Sequence, residues 1–305
     1  MTDKIPDTIK KPKIIVILGP TASGKSDLAV EIAKKISGEI ISADSRQIYK
    51  GMNIGAGKIT KKEMRGIPHY LLDVASPKRR RPFTASDYRT LAKKAVKKII
   101  TKGKTPIICG GTGFYIDSLI YDYQFPKVLP DKKLRMKLEK ESAADLFKKL
   151  ERLDPQRAKN IDRFNKRRLI RALEIIITTK KPVPPIQKSS PYDIIKIGIK
   201  REPRKLKNLI SLRLEKRLKA GMINEIKKLH RQGVSWQKLD DFGLEYRFIS
   251  RYLRGLISKK EMIERLEKEI AAYAKRQMTW FRRDKNIQWV KNSNEALMII
   301  KRFLK

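Results

Sequence analysis

The segment Ile14-Ile15-Val16-Ile17-Leu18-Gly19-Pro20-Thr21-Ala22-Ser23-Gly24-Lys25-Ser26 decides the fold of this 305-residue chain. Five consecutive apolar residues, four of them β-branched, read as a short strand buried on both faces. Gly19–Ser26 then matches G-x4-G-K-[ST] in full, and apolar residues at helical spacing follow (Leu28, Ile32, Ile36) up to Gly38. Strand, glycine-rich turn and helix are the context in which this pattern acts as a P-loop. Its glycines let backbone N–H groups close around phosphate oxygens, and the helix N-terminus adds a favourable dipole. Lys25 supplies a point charge, and the Ser26 hydroxyl is a candidate Mg²⁺ ligand.

Outward from this loop, Glu39–Ala43 reads as a second strand ending at Asp44. A helix is predicted over 85–101, with Tyr88, Leu91, Ala95 and Ile99 on one face. Pro106–Cys109 reads as another strand, with Cys109 as a buried strand residue, and Gly110-Gly111-Thr112-Gly113 turns it into a helix from Phe114. Two glycine-rich turns thus link strands to helices, the mark of a parallel α/β sheet. Ligands of such sheets lie at the carboxyl ends of the strands, so Asp44 and Thr112 are expected to face one site.

From Tyr123 the composition shifts to Lys, Arg, Glu and Leu, with helical periods through 134–153 and 167–178, before Ile194–Ile199 returns as a strand. The expected architecture is α/β: a P-loop parallel-sheet core (1–122), a helical insertion (123–190) and a mostly helical completion of the core (191–305).

Charge bears on the partner. Lys and Arg number 73 against 32 Asp and Glu, a formal charge of +41. Residues 1–50 carry nine basic and six acidic groups, so nearly all of the excess lies beyond the loop. Such an excess points to a polyanion. A single cysteine excludes an intrachain disulfide, no run approaches the length of a membrane span, and the first residues lack a signal-peptide core. These features together suggest a cytoplasmic protein.

ATP or GTP is the usual occupant of a P-loop, but the N-K-x-D guanine-reading segment is missing. Asp44 is followed by Ser45-Arg46-Gln47, a polar cluster suited to reading a ligand. Lys275-Arg276-Gln277-Met278-Thr279-Trp280-Phe281-Arg282 interleaves cations with aromatics, as phosphate contact with base stacking requires. Arg167-Arg168-Leu169-Ile170-Arg171 is a second basic helical stretch. A small-molecule kinase accounts for the loop but not the charge. A nucleotide-dependent RNA-binding protein accounts for the charge but not for Asp44 and Thr112.

Taken in order, GPTASGKS (19–26), ISADSRQIYKGMNIGAGK (41–58), PHYLLD (68–73), GGTGFYIDSLI (110–120), NKRRLIRALE (165–174) and AKRQMTWFR (274–282) resemble the tRNA dimethylallyltransferase family over nearly the whole chain. The resemblance implies transfer of a dimethylallyl group from dimethylallyl diphosphate to N6 of adenosine 37 in the tRNA anticodon loop. On that reading residues 19–26 and Arg213 hold the diphosphate with Mg²⁺ on Ser26. Asp44 is the general base, and Thr112 bonds the bridging oxygen of the leaving group. Asp44–Gln47, Thr112, Arg167–Arg171 and Lys275–Arg282 meet tRNA, and the insertion grips the anticodon stem. The chain departs from the family pattern at Leu209, where an arginine is usual, and at Ala271-Ala272 in place of Thr-Arg. Arg217, one turn beyond Arg213, is the candidate substitute.

Overall fold

In the computed structural model, residues 11–185 and 189–305 are described. Six parallel strands form one sheet in the order β3-β2-β4-β1-β5-β6. They span Lys13–Leu18 (β1), Gly38–Ser42 (β2), His69–Tyr70 (β3), Thr105–Gly110 (β4), Asp193–Ile199 (β5) and Ile287–Val290 (β6). The α/β architecture read from the sequence is the one observed. β1 is central, pairing Ile15 with Ile107 on one side and with Ile195 on the other. Its five apolar residues are almost wholly buried, as a strand covered on both faces requires.

Alternation along the strands divides the core. Ile15 and Ile17 of β1 join Ile107, Ile197 and the apolar faces of the helices Lys25–Lys35 and Ser293–Leu304. Ile14, Val16 and Leu18 point the other way, into a larger core with the helices Ala85–Thr101, Gly113–Ile120 and Lys259–Phe281. The helix Ala85–Thr101 starts at a capping box in which Thr84 and Asp87 satisfy each other's backbone N–H groups.

The chain divides into two compact units, Met1–Asp122 with Ser189–Lys305, and Tyr123–Lys188. The smaller unit is helical, with Leu146, Leu150, Leu169 and Leu173 fully buried at its centre. The period over 134–153 is broken into two helices, Lys132–Glu139 and Ala143–Leu153, because Ser142 caps the second by accepting the Asp145 N–H. β3 and β6 were not anticipated. Each is short, with too few residues for a local period; pairing of Ile287 with Lys196 of β5 makes β6 a strand.

Glu174 organises the helical unit. Its carboxylate is fully enclosed, accepting from Arg135 Nε and Nη2 (2.7 Å each), Arg171 Nη1 and the Asp131 N–H (2.8 Å). Burial alone would raise its pKa; the hydrogen bonds from Arg135 and Arg171 outweigh burial and hold it below the usual carboxylate value. A depressed folded-state pKa gives stability that is present above the unfolded value of about 4.3 and lost as pH falls through the folded one. Glu174→Ala is therefore expected to cost about 1–3 kcal/mol in urea unfolding, since it removes the shared acceptor of two partly exposed guanidinium groups and of the Asp131 N–H. It should also weaken the acid dependence of stability below pH of about 4.3. An unchanged acid profile would remove Glu174 from that role.

Candidate active site

Four neighbouring strand ends supply the site. The P-loop follows β1, Asp44–Gln47 follow β2, Gly110–Gly113 follow β4, and Arg201 follows β5. A cavity of about 560 Å³ opens among them, lined by the loop, Asp44, Gln47, Arg201, Arg213 and Tyr273.

Within the loop, Gly24 takes φ +88°, a left-handed conformation that glycine adopts without a Cβ penalty, and it caps the helix Lys25–Lys35. The first N–H groups of that helix have no partner within it and are available to an anion. Among the described residues Ser23 Oγ is buried with no hydrogen-bond partner, and the Lys25 ammonium donates to the Pro20 carbonyl at 3.1 Å. Burial pushes the Lys25 pKa down, and nearby Arg213 and Arg217 act in the same direction against Cys109 and Asp44. Arg213 Nη1 lies 3.3 Å from Thr21 Oγ1, and its pKa is lowered to about 10, first by burial and then by Arg217. Two crowded, poorly solvated cations beside an orphaned hydroxyl are complementary to an anion.

Asp44 Oδ1 accepts the N–H groups of Arg46 (2.8 Å) and Gln47 (3.3 Å), which fixes the carboxylate at the start of its turn. Thr112 Oγ1 accepts the Ser45 N–H at 3.1 Å and so ties the β2 end to the β4 end. Tyr273 lines the same cavity, and its hydroxyl is pushed up to about 12, mainly by burial and then by the Asp44 charge. Gln47 donates to the Gly57 carbonyl at 3.2 Å. That segment is itself held by Glu225, whose carboxylate accepts the N–H groups of Asn53, Ile54 and Gly55 at 2.7–3.0 Å.

The helix Lys259–Phe281 closes the site. Gln277 accepts the Thr21 N–H and donates to the Gly111 carbonyl, both at 2.8 Å. A Cβ on Gly111 would come within 2.1 Å of the Gln277 amide, so a side chain there would push the amide off its two partners. The sequence alone placed Gln277 among residues facing RNA; at 6% exposure it is instead a brace for the P-loop. Phe281 is likewise buried, Met278 half-buried, and Trp280 half-buried with its indole N–H on Asp117. Lys275, Arg276, Thr279 and Arg282 are exposed. A helix turns 3.6 residues per turn, so one contiguous motif cannot face one way.

The same geometry sorts the other basic stretch. Arg167 and Arg168 are exposed, whereas Leu169 and Ile170 are core side chains of the helical unit and do not reach its surface. Arg171 is half-buried, engaged with Glu174 and the Val128 carbonyl. Arg217, the candidate substitute at the diphosphate site, is paired with buried Glu245 at 3.0 Å and lines a separate space of about 90 Å³. Tyr273, Glu225 and Arg201 were not singled out for the site by sequence. Tyr273 carried a helical-face signal, and the other two lie in segments with no local motif.

This sheet, with a phosphate loop after its central strand and an acid at the next strand end, defines a P-loop α/β protein. The family described as IPP transferase matches residues 47–284. The chain is 43% identical to the tRNA dimethylallyltransferase of Acetivibrio thermocellus over 91% of each chain. It is 40% identical to that of Anoxybacillus flavithermus over 93% and 92% of the two chains. Among solved structures, a full-length tRNA isopentenylpyrophosphate transferase from Bacillus halodurans superposes with TM-score 0.72 at 35% identity, covering 97% and 96% of the two chains. A eukaryotic dimethylallyltransferase acting on tRNA superposes with TM-score 0.83 at 26% identity, covering 96% and 79%. The chain belongs to the IPP transferase family and is a transferase.

The brace formed by Gln277 is open to a direct check. Gln277→Leu keeps the volume but strands the Thr21 N–H and the Gly111 carbonyl. The expected loss in urea unfolding is about 1–3 kcal/mol. An unchanged unfolding midpoint would mean that the two groups find other partners.

Proposed function

We propose that this chain transfers a dimethylallyl group from dimethylallyl diphosphate to N6 of adenosine 37 in the anticodon loop of tRNA, releasing pyrophosphate. The observation that carries the reading is the meeting of the P-loop and Asp44 in one cavity. A diphosphate held at the loop directs the allylic carbon of the donor toward a carboxylate.

The chemistry follows from those residues. An adenine amine is a poor nucleophile because its lone pair is delocalised into the ring. Asp44 orients N6 and takes its proton while the new C–N bond forms and the donor C–O bond breaks. Negative charge then grows on the departing pyrophosphate, where Lys25, Arg213 and the loop N–H groups stabilise it. The Thr112 hydroxyl, an acceptor toward Ser45, keeps its own proton to donate to the bridging oxygen. Adenine must leave the stacked loop to reach Asp44, as other base-modifying enzymes require, and Ser45–Gln47 are proposed to read it there.

Mg²⁺ fits this donor set. The Ser26 hydroxyl lines the cavity in the first turn of the helix that follows the loop, beside the place proposed for the diphosphate. Mg²⁺ keeps several waters and binds through one or two protein oxygens together with substrate phosphates. When bound it would neutralise charge on the diphosphate.

For tRNA, the exposed Arg167, Arg168, Lys275, Arg276 and Arg282 are proposed as phosphate contacts, with the helical unit gripping the anticodon stem. No helix among the described residues is long and apolar enough to cross a membrane. Action on tRNA would make the cytoplasm the place of work.

Incubation with Mg²⁺, dimethylallyl diphosphate and unmodified tRNA carrying adenosines 36–38, followed by digestion and nucleoside mass spectrometry, is expected to yield isopentenyl-adenosine. ATP consumption without that product would overturn the proposal. Asp44→Ala should lower turnover by about 10²–10⁴ while tRNA affinity stays within several-fold. Unchanged turnover removes Asp44 as base. Binding of tRNA should weaken steeply with salt, because each phosphate contact releases counterions. A flat salt response would mean that the excess charge does not serve tRNA.

A further inference from the structure

The described cations of the diphosphate cavity include one that no motif marks. β5 pairs in parallel with β1, placing Ile17 beside Ile197 and Leu18 beside Gly198. The two strands therefore end together. A Cβ on Gly19, at the start of the P-loop, would lie 3.1 Å from the Ile199 carbonyl at the end of β5. Two residues later the chain carries Arg201, whose Nε donates to the Ser23 carbonyl at 3.1 Å. Its Nη2 lies 3.5 Å from where a Cβ on Gly24 would be, so the guanidinium packs over the glycine of the loop. Arg201 lines the cavity and forms no ion pair among the described residues.

From the helix Pro203–Lys219, Arg213 and Lys216 line this cavity, Arg213 with the guanidinium, while Leu209 contributes only apolar wall. Arg217, next to Arg213 at Gly57, is neutralised by its ion pair with Glu245. We infer that Arg201 is a diphosphate-binding residue, supplying from the β5 end a second guanidinium to the phosphate chain held by the P-loop. The inference rests on reading this cavity as the diphosphate site. With Nε anchored on a backbone carbonyl, both terminal nitrogens of the guanidinium remain to donate. A guanidinium pre-positioned in this way loses little freedom on gripping phosphate oxygens.

The test is calorimetric titration of the full-length chain with inorganic pyrophosphate and Mg²⁺, using wild type, Arg201→Ala, Arg201→Lys and Arg201→Gln. Arg201→Ala is expected to weaken pyrophosphate binding roughly tenfold or more, as loss of a charge-assisted hydrogen bond implies. Arg201→Lys should recover part of it. Arg201→Gln keeps a donor for the Ser23 carbonyl but no charge, and should bind as weakly as the alanine variant. Affinity for tRNA should stay within a few-fold in all three. Wild-type affinity in Arg201→Gln would reduce Arg201 to a brace for the loop, and wild-type affinity in Arg201→Ala would remove it altogether; either overturns the inference. A wild-type chain that binds no pyrophosphate would instead overturn the diphosphate reading of the cavity, and Arg201 with it.

Discussion

The two hydrogen bonds of Gln277 are the constraint on which the site depends. One side chain, from a helix near the end of the chain, fixes a loop at residue 21 and a turn at residue 111. An amide can do this because it carries a donor and an acceptor in one rigid plane. In a dry setting each half of the brace is costly to lose, since the backbone group left behind has no water to turn to. The loop N–H groups that remain unused, together with Ser23 Oγ, are thereby held ready for an anion rather than satisfied internally.

Around this brace the strand ends form a ring of mutual contacts. Thr112 ties the end of β4 to the turn of Asp44, Arg201 ties the end of β5 to the P-loop, and Glu225 gathers three N–H groups of the segment that faces Gln47. None of these groups lies close in sequence to the residue it positions. They converge because parallel strands all point their carboxyl ends to one edge, where the connecting turns must meet. Preorganisation of this kind is what a transferase needs: charge grows on the leaving group in the transition state, and fixed dipoles meet it without rearranging.

The formal charge of +41 takes on a division of labour in this setting. Lys25 and Arg213 are crowded and poorly solvated, so each is tuned by its neighbours. Arg135 and Arg171 serve a buried carboxylate and hold the helical unit together. Exposed cations such as Arg167, Arg168, Lys275 and Arg282 retain full hydration and suit long-range attraction of a polyanion. Net charge by itself could not separate these roles, because burial and pairing decide which cations are free to meet a partner.

Local sequence determined the strand, loop and helix at 13–35, the helix at 85–101 and the position of β5, since in each the apolar period and the glycine or capping residue agree. Ordered motifs also marked the P-loop, Asp44, Thr112 and Arg213 as parts of one site. Only tertiary structure decided that Gln277 and Phe281 face inward while Lys275 and Arg282 face out, and that Leu169 and Ile170 are core beside exposed Arg168. Motif letters carry no direction around a helix axis; packing supplies it. β6 and Arg201 were invisible for a related reason. A four-residue strand and a lone arginine acquire meaning only from β5, whose pairing with β1 brings residues nearly 180 positions apart in sequence to within 3.1 Å.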